Sequence, residues 1–62
     1  MQVYSLGDRV KIRDIPDPPF PGKIGRVGEI TFIHPPGQEQ LYDVTIDGQR
    51  YACYASEIEP AD

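Results

Sequence analysis

Apolar and charged positions alternate near the start of the chain. Val10 and Ile12 stand between Arg9, Lys11 and Arg13, a period of two that predicts a strand over Asp8 to Arg13 with one face buried. The same period recurs over Leu41 to Ile46, where Tyr42, Val44 and Ile46 share a face. A segment from Ile24 to Ile33 carries Ile24, Val27, Ile30, Phe32 and Ile33, and its alternation breaks around Gly28. A bulge or bend at Gly28 would return Val27 and Ile30 to the interior, as closing a barrel requires. Arg50 to Tyr54 reads as a fourth strand. It is joined to the third through Asp47-Gly48, a dipeptide that accepts the positive φ of a tight hairpin turn. Ala55 to Glu57 predicts one 3₁₀ turn. Ile58 is expected to plug the interior, and Glu59 and Pro60 to complete a short last strand. The segments between are loops. Pro16, Pro18, Pro19 and Pro21 in the first have no N–H to give a ladder, and Pro35, Pro36 and Gly37 open the second. The pattern predicts an all-β chain, a small five-stranded barrel occupying residues 1–62 as a single domain.

Size limits what such a domain does. A chain of 62 residues buries only about 60% of the surface it exposes when unfolded, so function is expected on its surface. The formal net charge is −4, and it is uneven. Residues 1–30 hold five cations against four carboxylates, and residues 31–62 hold one against six. That balance argues against a dedicated nucleic-acid binder. Cys53 is the single cysteine, so no internal disulfide forms, and a reducing, cytoplasmic setting is expected. No apolar run approaches the roughly 20 residues of a membrane span, and MQVYSLGDRV lacks the pattern of a signal peptide.

The candidate chemistry is sparse. His34 is the only histidine, which leaves it without fellow ligands for a metal site. It is expected to be a solvated loop residue. Cys53 lacks a base and an oxyanion site in the pattern and is expected to be a small buried strand residue. Asp43, Asp47, Glu57 and Glu59 are expected to be solvated carboxylates. Arg9, Lys11 and Arg13 project from one face of the first strand, with Arg26 beside them. Such a stripe tracks phosphates unless Asp8, Asp14 and Glu29 pair with it. The best partner-binding candidate is the stiff loop with Pro16, Asp17, Pro18, Pro19 and Phe20, because a pre-ordered loop loses little entropy on docking and aromatics anchor interfaces. Tyr51 joins it as the expected exposed tyrosine, with Tyr42 and Tyr54 facing the core. A groove for proline-rich peptides is not expected, since the row of aromatics it needs is absent.

Gly22 to Ile30, GKIGRVGEI, resembles a KOW motif. Together with GDRVKI and YDVTIDGQRYACYASEIEP it gives the chain a resemblance to the SH3-like barrel superfamily along nearly its whole length. The opening LGDRV, the middle KIGRVGEI and the ending Tyr54, Glu57-Ile58-Glu59-Pro60 are similar to small accessory subunits of cyanobacterial photosynthetic electron-transport complexes. The P subunit of the cytochrome b6f complex and the variable chain of ferredoxin–thioredoxin reductase are of this type. The P subunit type carries further aromatics in the fourth strand, where this chain has Ala52, Cys53 and Tyr54. This resemblance implies a non-catalytic chain without cofactor or metal, monomeric when free. It also implies docking on a larger protein complex at the cytoplasmic face of a thylakoid membrane. The KOW resemblance implies an alternative, binding of RNA or of ribosomal or transcription proteins. A third resemblance, through GDRV, is to type II dihydrofolate reductases. Their Val-Gln-Ile-Tyr site motif is missing, and Gln49-Arg50-Tyr51-Ala52 does not replace it.

Overall fold

The structure, a computed structural model, describes residues 3–13 and 21–61. Five strands are present: β1 (Arg9–Ile12), β2 (Val27–Ile33), β3 (Leu41–Ile46), β4 (Gln49–Tyr54) and β5 (Ile58–Pro60). Single 3₁₀ turns occupy Pro21–Lys23 and Ala55–Glu57. All neighbouring strands run antiparallel in one sheet of order β4-β3-β2-β1-β5. The class is all-β, as expected. The closed barrel is not formed, because β4 and β5 are the two edges of the sheet and do not pair with each other. The three-residue turn 55–57 carries the chain from one edge directly to the other. At its start the Tyr54 N–H is taken by Glu57 Oε1 at 2.7 Å, which ends β4 before any ladder to β5 begins.

A single sheet with no second layer hides apolar side chains only by wrapping around its own inner face. All five strands contribute to that interior, through Val10, Ile12, Ile30, Tyr42, Val44, Ile46, Cys53 and Ile58. Full burial of one such aliphatic side chain contributes about 1.5–3 kcal/mol, so the interior is small and each member matters. The clean alternation of β3 is realised in full, with Tyr42, Val44 and Ile46 buried. The turn at Asp47 (φ 51°) and Gly48 (φ 81°) is positive at both positions, which makes it the type I′ turn that matches strand twist.

The second strand departs from expectation. It begins at Val27, and residues 24–25 form a turn in which Gly25 takes φ 83° and gives its N–H to the Ile12 carbonyl at 2.9 Å. The bulge lies between Ile30 and Phe32, not at Gly28. Val27 therefore stays on the outside, 36% exposed. Gly28 has a different task. A Cβ placed there would stand 2.6 Å from Ile46 Cγ1 and 2.7 Å from Val44 Cγ1. The bare backbone lets β3 side chains close over β2, where β2 passes from pairing with β1 to pairing with β3.

Tyr4 completes the core from outside the sheet. It is 5% exposed and meets Tyr42 edge-to-face, with ring centroids 5.4 Å apart, a favoured aromatic geometry. Its N–H donates to the Tyr42 hydroxyl at 3.2 Å, and its own hydroxyl donates to the Ile58 carbonyl at 3.4 Å. Burial, with smaller electrostatic contributions, raises its pKa. Among the described residues, no helix is long and apolar enough to cross a membrane.

Candidate functional site

Tyr4, Tyr42 and Ile58 are also the floor of a groove of about 570 Å³ at one end of the sheet, within the usual size of a ligand cleft. One wall is the segment from Gly37 to Gln40. Gln40 Nε2 donates to the His34 and Leu41 carbonyls at 2.6 and 3.1 Å, which pins that segment to the sheet. Glu39 Oε2 accepts the Ser56 N–H at 2.7 Å, so the loop is tied to the 3₁₀ turn as well. Those hydrogen bonds to Ser56 hold the Glu39 carboxyl below its ordinary pKa. Arg13 and Glu59 form the opposite wall, and Val3 and Pro60 stand on the lip. Val3 is 74% exposed, an apolar side chain left in water beside an apolar floor.

The basic stripe is present as geometry but not as free charge. Arg9 and Lys11 do share the outer face of β1, and Arg13 follows its last residue. Glu59 on the neighbouring β5 lies 4.0 Å from Lys11 Nζ and 3.8 Å from Arg13 Nε. Arg13 Nη1 also donates to the Ser56 carbonyl at 3.1 Å. Arg9 faces Glu29 across the ladder. Arg26 does not join the stripe, because its guanidinium pairs with Asp47 at the hairpin turn. Asp8, expected to neutralise the stripe, instead accepts the Ser5 N–H at 2.8 Å. Exposed pairs of this kind contribute little to stability, about 0–1 kcal/mol each, but they leave less cationic surface for phosphate.

The two tyrosines of β4 exchange the roles expected of them. Tyr51 is half-buried on the inner side and packs against the core. Its hydroxyl donates to Gln49 Oε1 at 3.1 Å, and Lys23 Nζ sits 5.7 Å from its ring centroid. Tyr54 is 46% exposed on the outer face. The register explains the swap. Val44 pairs with Tyr51 and Tyr42 with Cys53, so β4 residues opposite the buried positions of β3 face inward, and Tyr54 opposite Leu41 does not. His34 also departs from a solvated role. It is half-buried, its Nε2 lies 2.7 Å from Asp43 Oδ1, and its ring meets Phe32 edge-on at 5.0 Å. The Phe32 side chain, 49% exposed, has nothing in its local sequence that singles it out as a surface aromatic.

Cys53 is fully buried, as expected. Burial first, and the carboxylates of Glu57 and Asp43 after it, push its thiol up to about 12. The group stays a thiol at neutral pH, and the thiolate is the nucleophilic form. The loop candidates Pro16, Asp17, Pro18, Pro19 and Phe20 lie outside the described residues. Among those described, no three His, Cys, Asp or Glu side chains come together in a way that could hold a metal ion. In comparisons with known proteins, the chain matches no family model, no curated protein and no solved structure.

Proposed function

We propose that this chain is a non-catalytic protein-docking module of SH3-like plan. It serves as a small accessory or regulatory subunit on a larger complex, of the photosynthetic electron-transport kind that its sequence resembles. The observation that carries the reading is the groove above Tyr4, Tyr42 and Ile58. It joins a buried aromatic and aliphatic floor to a wall that the Gln40 and Glu39 side chains tie to main-chain groups of His34 and Ser56, and a site that does not need to be ordered on binding keeps more of its contact energy. A four-strand meander, β1 to β4, followed by a 3₁₀ turn and a fifth strand that returns to β1, supports the SH3-like plan, in an incompletely closed form. The net charge of −4 suits a partner with a basic docking face, where charge acts mainly on the rate of encounter.

The RNA reading has less support. Glu59 engages Lys11 and Arg13, and Asp47 engages Arg26, which removes most of the stripe that would follow a phosphate backbone.

The test is recovery of a tagged chain from a native extract under mild, low-salt conditions, beside a Val3→Glu variant. Val3 is exposed on the groove lip, so the variant keeps the fold. The reading expects a defined complex with the natural chain and its loss with the variant. Recovery of both chains only as free protein, or of the same complex with both, would overturn it.

A further inference from the structure

The groove leaves the far edge of the sheet unused. In β3–β4 the hairpin register pairs Ile46 with Gln49 across a two-residue turn, and such a pair exchanges its hydrogen bonds directly. The pattern then repeats every second residue. The Ala55 N–H reaches the Gln40 carbonyl at 3.0 Å, which fixes the phase: Gln49, Tyr51 and Cys53 direct their backbone groups at β3. Arg50 and Ala52 therefore turn theirs away from the sheet, and no described residue pairs with them. Tyr54, the next in phase, has its N–H taken by Glu57.

Exposed strand edges are ordinarily blunted by proline, lysine, a bulge or short length. β5 has two of these devices, since it is three residues long and ends in Pro60. β4 has none. It runs six residues, QRYACY, with six unbroken pairs to β3 and no register shift.

We infer that the open edge of β4 pairs with the same edge of a second copy of this chain, antiparallel about a two-fold axis through Tyr51. In this register Arg50 stands opposite the partner's Ala52, and Ala52 opposite the partner's Arg50. The N–H and C=O groups of these two residues, to which no other described residue is paired, then satisfy one another in four hydrogen bonds. A two-fold interface uses one patch on both copies, so the match has to be to itself, and this one is. The side chains agree with the backbone. Ala52 is small and exposed, and its neighbour across β3 is Asp43. Beyond the alanine the incoming guanidinium approaches that carboxylate, whose Oδ1 lies 2.7 Å from His34 Nε2, with the exposed Tyr54 ring on the diagonal, within reach of a long side chain. The product is one continuous ten-stranded sheet, in place of the monomer expected from the sequence.

Sedimentation velocity of the full chain, from about 10 µM to about 1 mM, reads this association by mass action. The expected result is a monomer–dimer equilibrium. Arg50→Glu sets a carboxylate against Asp43 of the partner subunit and should weaken association about tenfold or more, or about 1.4 kcal/mol. Ala52→Pro removes an outward N–H, a place where an edge strand tolerates proline, and should abolish pairing. If that variant melts without cooperativity, Arg50→Glu carries the test alone, since Arg50 is exposed. Amide exchange supplies a second reading: the Arg50 and Ala52 amides should slow as concentration rises, while that of Glu59 on β5 should not. A monomer across the whole range, a dimer indifferent to Arg50→Glu, or concentration-independent exchange at Arg50 and Ala52 would overturn the inference.

Discussion

The two edges of this sheet differ more than any other two regions of the molecule. β5 is three residues long, ends in proline, and has its outer charge Glu59 bound up with Lys11 and Arg13. β4 is twice as long, unbroken in register and, among the described residues, paired along one side only. Their inner faces, by contrast, are alike, since Ile58 is 2% exposed and Cys53 0%. Burial and edge protection are thus set independently. A strand can be fully committed to the core on one face and still offer its backbone to a partner along its rim.

Four measurements would sharpen or break that contrast, the largest effect first. An aspartate at Ile58 on β5, at Cys53 on β4, or at Val10 between the two halves of the sheet would put an unpaired charge in the same small interior. Each should cost about 4 kcal/mol or more and leave no cooperative melt by circular dichroism. A soluble, sharply melting variant at any of the three would show that its strand is not part of a shared core. Gly28→Ala comes next. A methyl group 2.6 Å from Ile46 should cost about 1–3 kcal/mol in urea unfolding, unless β3 separates from β2 more readily than its packing suggests.

The third measurement uses the buried thiol. Cys53 releases its proton near 9.0 in an unfolded chain and near 12 in the folded one. Its raised value means that this contribution to stability is complete below about pH 9 and is lost as pH rises from there toward 12. Stability of the natural chain should fall over that window, and that of Cys53→Ala should fall less. Equal slopes would mean that β4 is not closed on its inner side. The smallest effect concerns the rims. Glu59→Gln on β5 and Arg50→Glu on β4 should each move the stability of the single chain by no more than about 0.5 kcal/mol. A larger loss at Glu59 would give its ion pairs a structural weight that exposed pairs rarely have.

Much of the architecture was legible in the residues, and the reasons differ from place to place. The limits of β3 follow from the residues because a strict period of two from Leu41 to Ile46 admits one face only. Asp47-Gly48 and Ala55–Glu57 were legible because turn chemistry is local. The limits and bulge of β2 are not legible in this way, because Ile24, Val27, Ile30, Phe32 and Ile33 fit no single period. The bulge that resolves them sits where Thr31 bonds across to Thr45, hydroxyl to hydroxyl at 2.9 Å, a contact no window along the chain contains. Closure is not legible, since a count of strands does not tell whether the outermost two meet, and here β4 and β5 do not. The groove was illegible for the same reason. Tyr4 and Tyr42 lie 38 positions apart, and only the finished sheet brings them together. Tyr51 and Tyr54 were exchanged because their faces follow from the phase of the hairpin, which the turn fixes and composition does not.

β1 has as its partners β2, close by in sequence, and β5, near the far end of the chain. During synthesis Val10 and Ile12 are therefore made well before Ile58, which lies opposite Ile12 in the finished sheet. Long-range pairing of this sort is slow to form, and the nascent polypeptide must carry its first strand half-dressed until β5 joins it.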